Sequence, residues 1–205
     1  MAGRITYRRV VVALLLAFFL FTAVLVLYGA YLRSSAKALI NSAKDIRSTA
    51  DAQRQIAAWR GRPLVEVIDE QPQTPVFGGD QSYEVALLNT VLSKLRIARP
   101  TMTQMTITMR GGKLRSIFLL MWSGREPSPP GVLIMEWFIP DPSRRFHVDG
   151  HVRPWRGLVE FSSDLPEPQR VKAFAFNADC FVKLGGCKSA EDILPGVWQL
   201  ATAHQ

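Results

Sequence analysis

The chain has 205 residues, of which 48% are hydrophobic and 20% are charged. This composition excludes an intrinsically disordered chain, and the presence of only two cysteines excludes a small domain held by several disulfides. The net charge of +8 is unevenly placed: residues 1–9 carry +3, residues 33–62 carry +5, and residues 63–205 hold fifteen basic and fifteen acidic side chains. We therefore divide the chain after residues 9, 32 and 62.

Residues 10–32 contain no charged side chain, and we predict that they form a transmembrane helix. These 23 residues span roughly 34 Å as a helix, which is enough to cross a hydrocarbon core. Tyr7 precedes the run and Tyr28 and Tyr31 close it, as is typical of side chains that lie among lipid headgroups. The run is longer than the apolar region of a cleaved signal peptide, so we interpret it as an uncleaved signal-anchor.

The basic tail, residues 1–9, indicates the orientation of this helix. Arg4, Arg8 and Arg9 favour a cytoplasmic N-terminus. Basic residues also follow the apolar run, but long domains cross the membrane largely regardless of their charge. The sequence therefore predicts a single-pass protein of the cell membrane, with residues 63–205 in an extracytoplasmic domain of the cell envelope.

Residues 33–62 are predicted to form a basic amphipathic helical stalk. Residues 34–60 contain neither proline nor glycine, and Gly61 and Pro63 are positioned to end the helix. Its apolar stripe is narrow and rich in alanine, and the opposite face is basic. Three interpretations follow: a solvated continuation of the membrane helix, a helix lying on anionic headgroups, or a weak coiled-coil seam that pairs two copies of the chain.

Residues 63–205 are predicted to form a small α+β domain, an antiparallel sheet with flanking helices. Gly111-Gly112 separates two alternating segments and predicts a two-residue hairpin in which Met105 faces Phe118. Asp149-Gly150 predicts a second tight hairpin. The other predicted elements are strands at 64–69, 132–139, 144–148 and 158–162, and helices at 82–97, 167–184 and 189–194.

The two cysteines, Cys180 and Cys187, are predicted to form a disulfide. Gly185 in a left-handed conformation at the end of the helix 167–184 would reverse the chain and bring Cys187 back towards Cys180. Such a reversal permits the short Cα separation that a disulfide requires. The bond also depends on the predicted topology, because cytoplasmic thiols are kept reduced.

The sequence carries none of the common nucleophile-elbow, phosphate-binding-loop, dinucleotide-binding or zinc-protease motifs. We therefore assign no catalytic, cofactor-binding or metal-binding residue, which favours binding over catalysis. His147 and His151 are the nearest approach to a metal site, but the predicted hairpin points them to opposite faces. Residues 63–205 have no net charge, which predicts no specific binding of nucleic acid. The expected partners are therefore the lipid bilayer and a protein.

A basic leader, an apolar helix that continues into an amphipathic stalk, and an antiparallel sheet resemble the layout of type IV pilins and pseudopilins. Those proteins carry a processing site followed by a glutamate within the apolar run, and residues 10–32 contain neither. The sequence therefore predicts a membrane-anchored protein with an extracytoplasmic binding domain. A pilin-like or secretion-assembly subunit is one alternative, and an envelope enzyme with an unidentified site is another.

Overall fold

The structure, a computed structural model, describes residues 2–60, 62, 65–70, 81–124, 130–138, 147–149 and 157–195. For residues 2–6, 65–70 and 147–149 it describes the backbone alone. The helices are α1 (Ala2–Asp45), α2 (Thr49–Trp59), α3 (Thr90–Lys94), α4 (Glu167–Ala173), a 3₁₀ helix (Ala178–Phe181) and α5 (Ala190–Ile193). The strands are β1 (Val65–Glu70), β2 (Gln81–Leu88), β3 (Thr101–Arg110), β4 (Lys113–Ser123), β5 (Gly131–Trp137), β6 (His147–Asp149) and β7 (Leu158–Ser162).

The described strands form one sheet in the order β1-β2-β3-β4-β5-β7-β6. The predicted α+β fold is confirmed, but the sheet is not a simple antiparallel meander, because β5 and β7 are parallel neighbours. The short β6 lies at the edge, where Asp149 pairs with Leu158. Asp149 is therefore a strand residue, and the predicted tight turn is wrong at this position. Gly150 and His151 lie outside the described residues.

The β3–β4 hairpin forms around Gly111-Gly112 as predicted, with both glycines at positive φ. The predicted register is wrong beyond the first two pairs, because the ladder shifts between Thr108 and Met109. Met105 then pairs with Leu119 rather than Phe118. The shift places Leu119 on the buried face and leaves Phe118 on the other face, only partly covered.

The segment predicted as a stalk is two helices that pack on the sheet. Helix α1 continues to Asp45, the chain bends, and Ser48 caps α2 by accepting the Asp51 N–H. The apolar stripe of both helices is buried in the core with the inner face of the sheet; its members are Leu32, Ala36, Leu39, Ile40, Ala43, Ile46, Ala52, Ile56 and Trp59. The stripe is therefore covered within one chain, and none of the three stalk interpretations describes it.

Two predicted helices are wrong in type or extent. Residues 82–97, predicted as one helix, are strand β2 followed by the single turn of α3, because β2 hydrogen-bonds to both β1 and β3. The helix predicted at 167–184 ends at Ala173. Asn177 then begins the 3₁₀ helix by accepting the Asp179 N–H through its side chain, which competes with a continuous α-helix. The helix predicted at 189–194 is confirmed as α5, with Ser189 as its N-cap.

Candidate functional site

A long apolar part of α1 is exposed among the residues that the structure describes. The side chains from Val12 to Val24 are all exposed, and most of them are large and apolar. By length and composition, α1 is the one helix in the described part of the chain that could cross a membrane. A helix that is apolar around its whole circumference is stable in lipid rather than in water, so this segment is compatible with a single-pass anchor.

The same helix enters the domain at about residue 25. Leu25 and Tyr28 pack against the core, and Leu32 is fully buried. Beside them, Val182 lies over Gly29, where an added Cβ would meet its Cγ1 at 3.4 Å. One turn further on, Arg33 forms an ion pair of 2.5 Å with Asp179, which lies in the 3₁₀ helix. The segment around residues 179–182 therefore lies beside the part of α1 where the exposed apolar region ends.

A buried ion pair holds the other end of α1. Arg170 donates from Nε and Nη2 to the two carboxylate oxygens of Glu136, at 2.6 Å each, and both side chains are fully buried. Its remaining donors bond to the carbonyl oxygens of Lys44 and Ile46 at the end of α1. A cation at the C-terminal end of a helix also interacts favourably with the helix dipole. Arg170 thus links α4, β5 and α1.

The electrostatics of Glu136 reflect this position. Burial raises the pKa of the Glu136 carboxyl, whereas the hydrogen bonds and positive charge of Arg170 oppose the rise. On the surface beside the buried pair, Arg47 bonds to Glu167, which adds a second link between the end of α1 and α4. Because Arg170 bonds to both carboxylate oxygens of Glu136 and to two backbone carbonyls, and both side chains are fully buried, we interpret the pair as structural.

The predicted cysteine pair is brought together. Cys180 and Cys187 have Cα atoms 5.1 Å apart and sulfur atoms at disulfide distance. Gly185 has the predicted left-handed conformation, with φ of 78°, although it follows the 3₁₀ helix rather than a long α-helix. The backbone N–H of Lys188 donates to the Asp192 carboxylate at 2.8 Å, and this bond lowers the pKa of that carboxyl.

We call residues 178–188, which contain both cysteines, the cysteine segment. A buried polar network links this segment to the ends of β2, β3 and β4. The amide of Asn89 donates to the carbonyl oxygens of Arg99 and Phe181, at 2.8 and 3.0 Å, and accepts the Thr101 N–H at 2.9 Å. The hydroxyl of Ser123 accepts the Cys187 N–H at 3.3 Å. These bonds fix the position of the cysteine segment relative to the sheet.

An open cavity of about 380 Å³ lies beside this network. It is formed by the turn after α3 and by the cysteine segment, and its lining includes Ser93, Arg96, Arg99, Leu184 and Gly185. Among the described residues, the lining contains two arginines and no acidic residue or histidine, so this part of the lining favours an anionic group over a metal ion. We regard this cavity and its rim as the candidate binding site.

The described residues contain no group of three or more His, Cys, Asp or Glu side chains that could hold a metal ion. His147 lies in β6 opposite Glu160, so the predicted hairpin that pointed the two histidines to opposite faces is wrong, and His151 lies outside the described residues. No catalytic or cofactor-binding residue was assigned from the sequence. The expected absence of such residues stays a prediction.

Sequence reasoning missed Arg170, Glu136 and the arginines of the cavity. The partners Arg170 and Glu136 are 34 residues apart, and their pairing follows from the position of α4 against β5, which no local pattern indicates. A signal for the cavity did exist: Arg96 and Arg99 flank Ile97 and Ala98 directly after the helical turn, in a stretch without acidic residues. It was hidden by the neutral charge balance of residues 63–205 as a whole.

Comparison with known proteins gives no matching family model, no matching curated protein and no matching solved structure.

Proposed function

We propose that the protein is a single-pass membrane protein whose α1 helix crosses the bilayer with its N-terminus in the cytoplasm, and whose α+β domain binds a partner outside. The observation that supports this proposal is the division of α1 into two parts. Residues 12–24 expose mostly apolar side chains on every side, and the second half of the helix contributes to the core of the domain. The anchor and the domain are thus one continuous structural unit.

Two features support the orientation. The arginines of residues 1–9 favour a cytoplasmic N-terminus, and the sulfur atoms of Cys180 and Cys187 are placed for a disulfide, which persists in an oxidising compartment. A binding role is supported by the open cavity beside Arg96 and Arg99, two exposed cations that could contact an anionic group.

The topology is tested with reporters fused after His204. A phosphatase that is active only outside the cytoplasm is expected to be active there, and a fluorescent protein that matures only inside is expected to be dark. The opposite result would show that the orientation is inverted. Replacement of Arg4, Arg8 and Arg9 by alanine should reduce the phosphatase signal, because the basic tail then no longer outweighs the basic residues after the helix.

A pilin-like assembly subunit is the second candidate. The observation that favours it is the same exposed helix half, since copies of the chain packed side by side would also cover it, while the second half packs on a mostly antiparallel sheet. Mass spectrometry of the mature N-terminus separates the two proposals. An intact N-terminus that includes Arg8 and Arg9 supports the anchor, whereas cleavage at the start of the apolar run supports the assembly subunit.

A further inference from the structure

The part of α1 that is exposed around its whole circumference is too short to span a bilayer by itself, although Val26 and Leu27 beyond it are also exposed. The fifteen residues from Val10 to Val24 cover roughly 22 Å as a helix, whereas the hydrocarbon core is about 30 Å thick and needs about 20 residues. A span that begins at Val10, after Arg8 and Arg9, therefore ends near Gly29. Leu25, Tyr28 and Gly29 are already partly covered by the domain. The part of the domain that covers them must lie at the level of the bilayer surface.

The covering part is the cysteine segment. Val182 lies over Gly29, and Asp179 pairs with Arg33. Leu184, two residues after Val182, pairs with Ala98 in an isolated β-bridge. This bridge joins the cysteine segment to the turn after α3. Because these contacts are fixed by the core and by the Asn89 network, the turn after α3 lies at the same end of the domain as the membrane helix.

This end of the domain carries a surface that we call the proximal surface, defined by Leu95, Arg96, Arg99, Lys183 and Leu184. Leu184 is 81% exposed and Leu95 is 45% exposed, although both are large apolar side chains. The three basic side chains are also exposed. Residues 89–100 and 182–190 together contain five basic residues and no acidic one, whereas Glu191 and Asp192 follow directly and Asp192 interacts with the charges of Lys183 and Lys188.

We propose that the proximal surface lies on the same bilayer that α1 crosses, with Leu95 and Leu184 inserted among the headgroups and Arg96, Arg99 and Lys183 in contact with the phosphates of anionic lipids. Exposed leucines bordered by cations are typical of surfaces that insert at the boundary between headgroups and acyl chains. The cavity between Arg96, Arg99 and Leu184 then opens towards the headgroups. This inference rests on the proposed membrane anchor.

The test uses the full chain reconstituted in phosphatidylcholine vesicles that contain brominated lipid, with or without phosphatidylglycerol. A fluorophore is attached through single cysteines introduced as L184C, K113C or L20C, with the native cysteines left in their pair. Lys113 is the matched control, because it is exposed in the β3–β4 hairpin at the opposite end of β3. Leu20 reports on the anchor itself.

We expect bromine to quench the fluorophore at Leu184 several-fold more strongly than the fluorophore at Lys113. Equal quenching at Leu184 and Lys113, with strong quenching at Leu20, would overturn the proximal surface and leave the anchor intact. Absence of quenching at Leu20 would instead overturn the proposed anchor, so the two failures are distinguishable.

The ionic part of the proposal is tested with the same fluorophore at Leu184. Phosphatidylglycerol is expected to increase its quenching, and added salt is expected to reverse that increase by screening. Arg99→Glu should reduce the increase, whereas Lys113→Glu, the matched charge reversal at the opposite end, should leave it unchanged. An increase that survives Arg99→Glu and salt would show that the basic side chains do not bind the phosphates.

Discussion

Arg170 and Glu136 form a two-bond ion pair, 2.6 Å in each bond, with both side chains fully buried. The pair also holds the end of α1 in place, because Arg170 donates further hydrogen bonds to the carbonyl oxygens of Lys44 and Ile46. One guanidinium thus joins the end of the proposed membrane helix to the centre of the sheet. A movement of α1 relative to the domain would have to break this cluster.

Arg170→Met is expected to destabilise the fold by about 3–5 kcal/mol, because it leaves the Glu136 charge buried without a partner. The double variant Arg170→Met/Glu136→Leu should recover much of that loss, since it removes both charges. Urea unfolding in detergent, followed by tryptophan fluorescence, measures both values. A double variant no more stable than the single one would contradict this account of the pair.

The Arg170→Met variant should also acquire a pH dependence. Without Arg170, burial raises the folded-state pKa of Glu136 well above its unfolded value. The folded state then favours the protonated Glu136 carboxyl. The free energy of unfolding is therefore retained in acid, and it falls as the pH rises towards the folded-state pKa. We expect a higher melting temperature for this variant in mildly acidic buffer than at neutral pH, relative to the unsubstituted chain. An unchanged difference between the two chains would contradict it.

Disulfide formation between Cys180 and Cys187 is expected in protein isolated from an oxidising compartment. Both thiols should resist alkylation in unfolded, unreduced protein and become modified after reduction, as seen by mass spectrometry. Because the closed loop is short, loss of the bond in Cys180→Ser/Cys187→Ser should cost no more than about 2–3 kcal/mol. Full alkylation of both cysteines before reduction would refute the bond.

Gly186 and Gly111 both have a positive φ, 65° and 54°, so substitutions at the two positions can be compared. A Cβ at Gly186 would lie 2.6 Å from the Cβ of Arg99 and 2.9 Å from the Ser123 hydroxyl, whereas a Cβ at Gly111 would meet nothing within 4 Å. We expect Gly111→Ala to cost about 1 kcal/mol for backbone strain, and Gly186→Ala to cost about 1–3 kcal/mol more for the clash. Equal losses of unfolding free energy in the two variants would contradict the packing of Gly186 against Arg99.

Asp192 should make the cysteine segment sensitive to acid. Its pKa is lowered, mainly by the Lys188 N–H, so the carboxylate stabilises the folded segment above its unfolded pKa. That stabilisation is lost as the pH falls through the lower, folded-state pKa. Hydrogen exchange of the Lys188 amide is expected to lose protection on acidification in the unsubstituted chain, and to respond less in Asp192→Asn. An equal response in both would contradict the role of this carboxylate.

Elements specified by adjacent residues were predictable from the sequence. Gly111-Gly112 specifies its own turn, and Ser189 caps its own helix, so the hairpin and α5 were found. The long apolar part of α1, which is compatible with a membrane anchor, is likewise a property of one continuous run of residues. In each case the residues that decide the structure lie within a few positions of it.

Features decided by distant residues were not predictable. The apolar positions of residues 82–97 fit a helix, but pairing with both β1 and β3 makes Gln81–Leu88 a strand. The stripe of Ala36, Leu39 and Ala43 shows an amphipathic helix without showing that its partner is the sheet of the same chain. The proximal surface combines residues 95–99 with 183–184, and no local pattern predicts that juxtaposition.

The central claim is that α1 crosses the bilayer and ends within a domain on the outer side. Single cysteines at Gly3, Phe19 and Lys113, in a Cys180→Ser/Cys187→Ser background, are treated with a membrane-impermeant maleimide in right-side-out vesicles, before and after permeabilisation. The account predicts that the cysteine at Lys113 reacts at once, that the cysteine at Gly3 reacts only after permeabilisation, and that the cysteine at Phe19 does not react in either case. Reaction at Phe19 in sealed vesicles, or protection of Lys113 until permeabilisation, would contradict it.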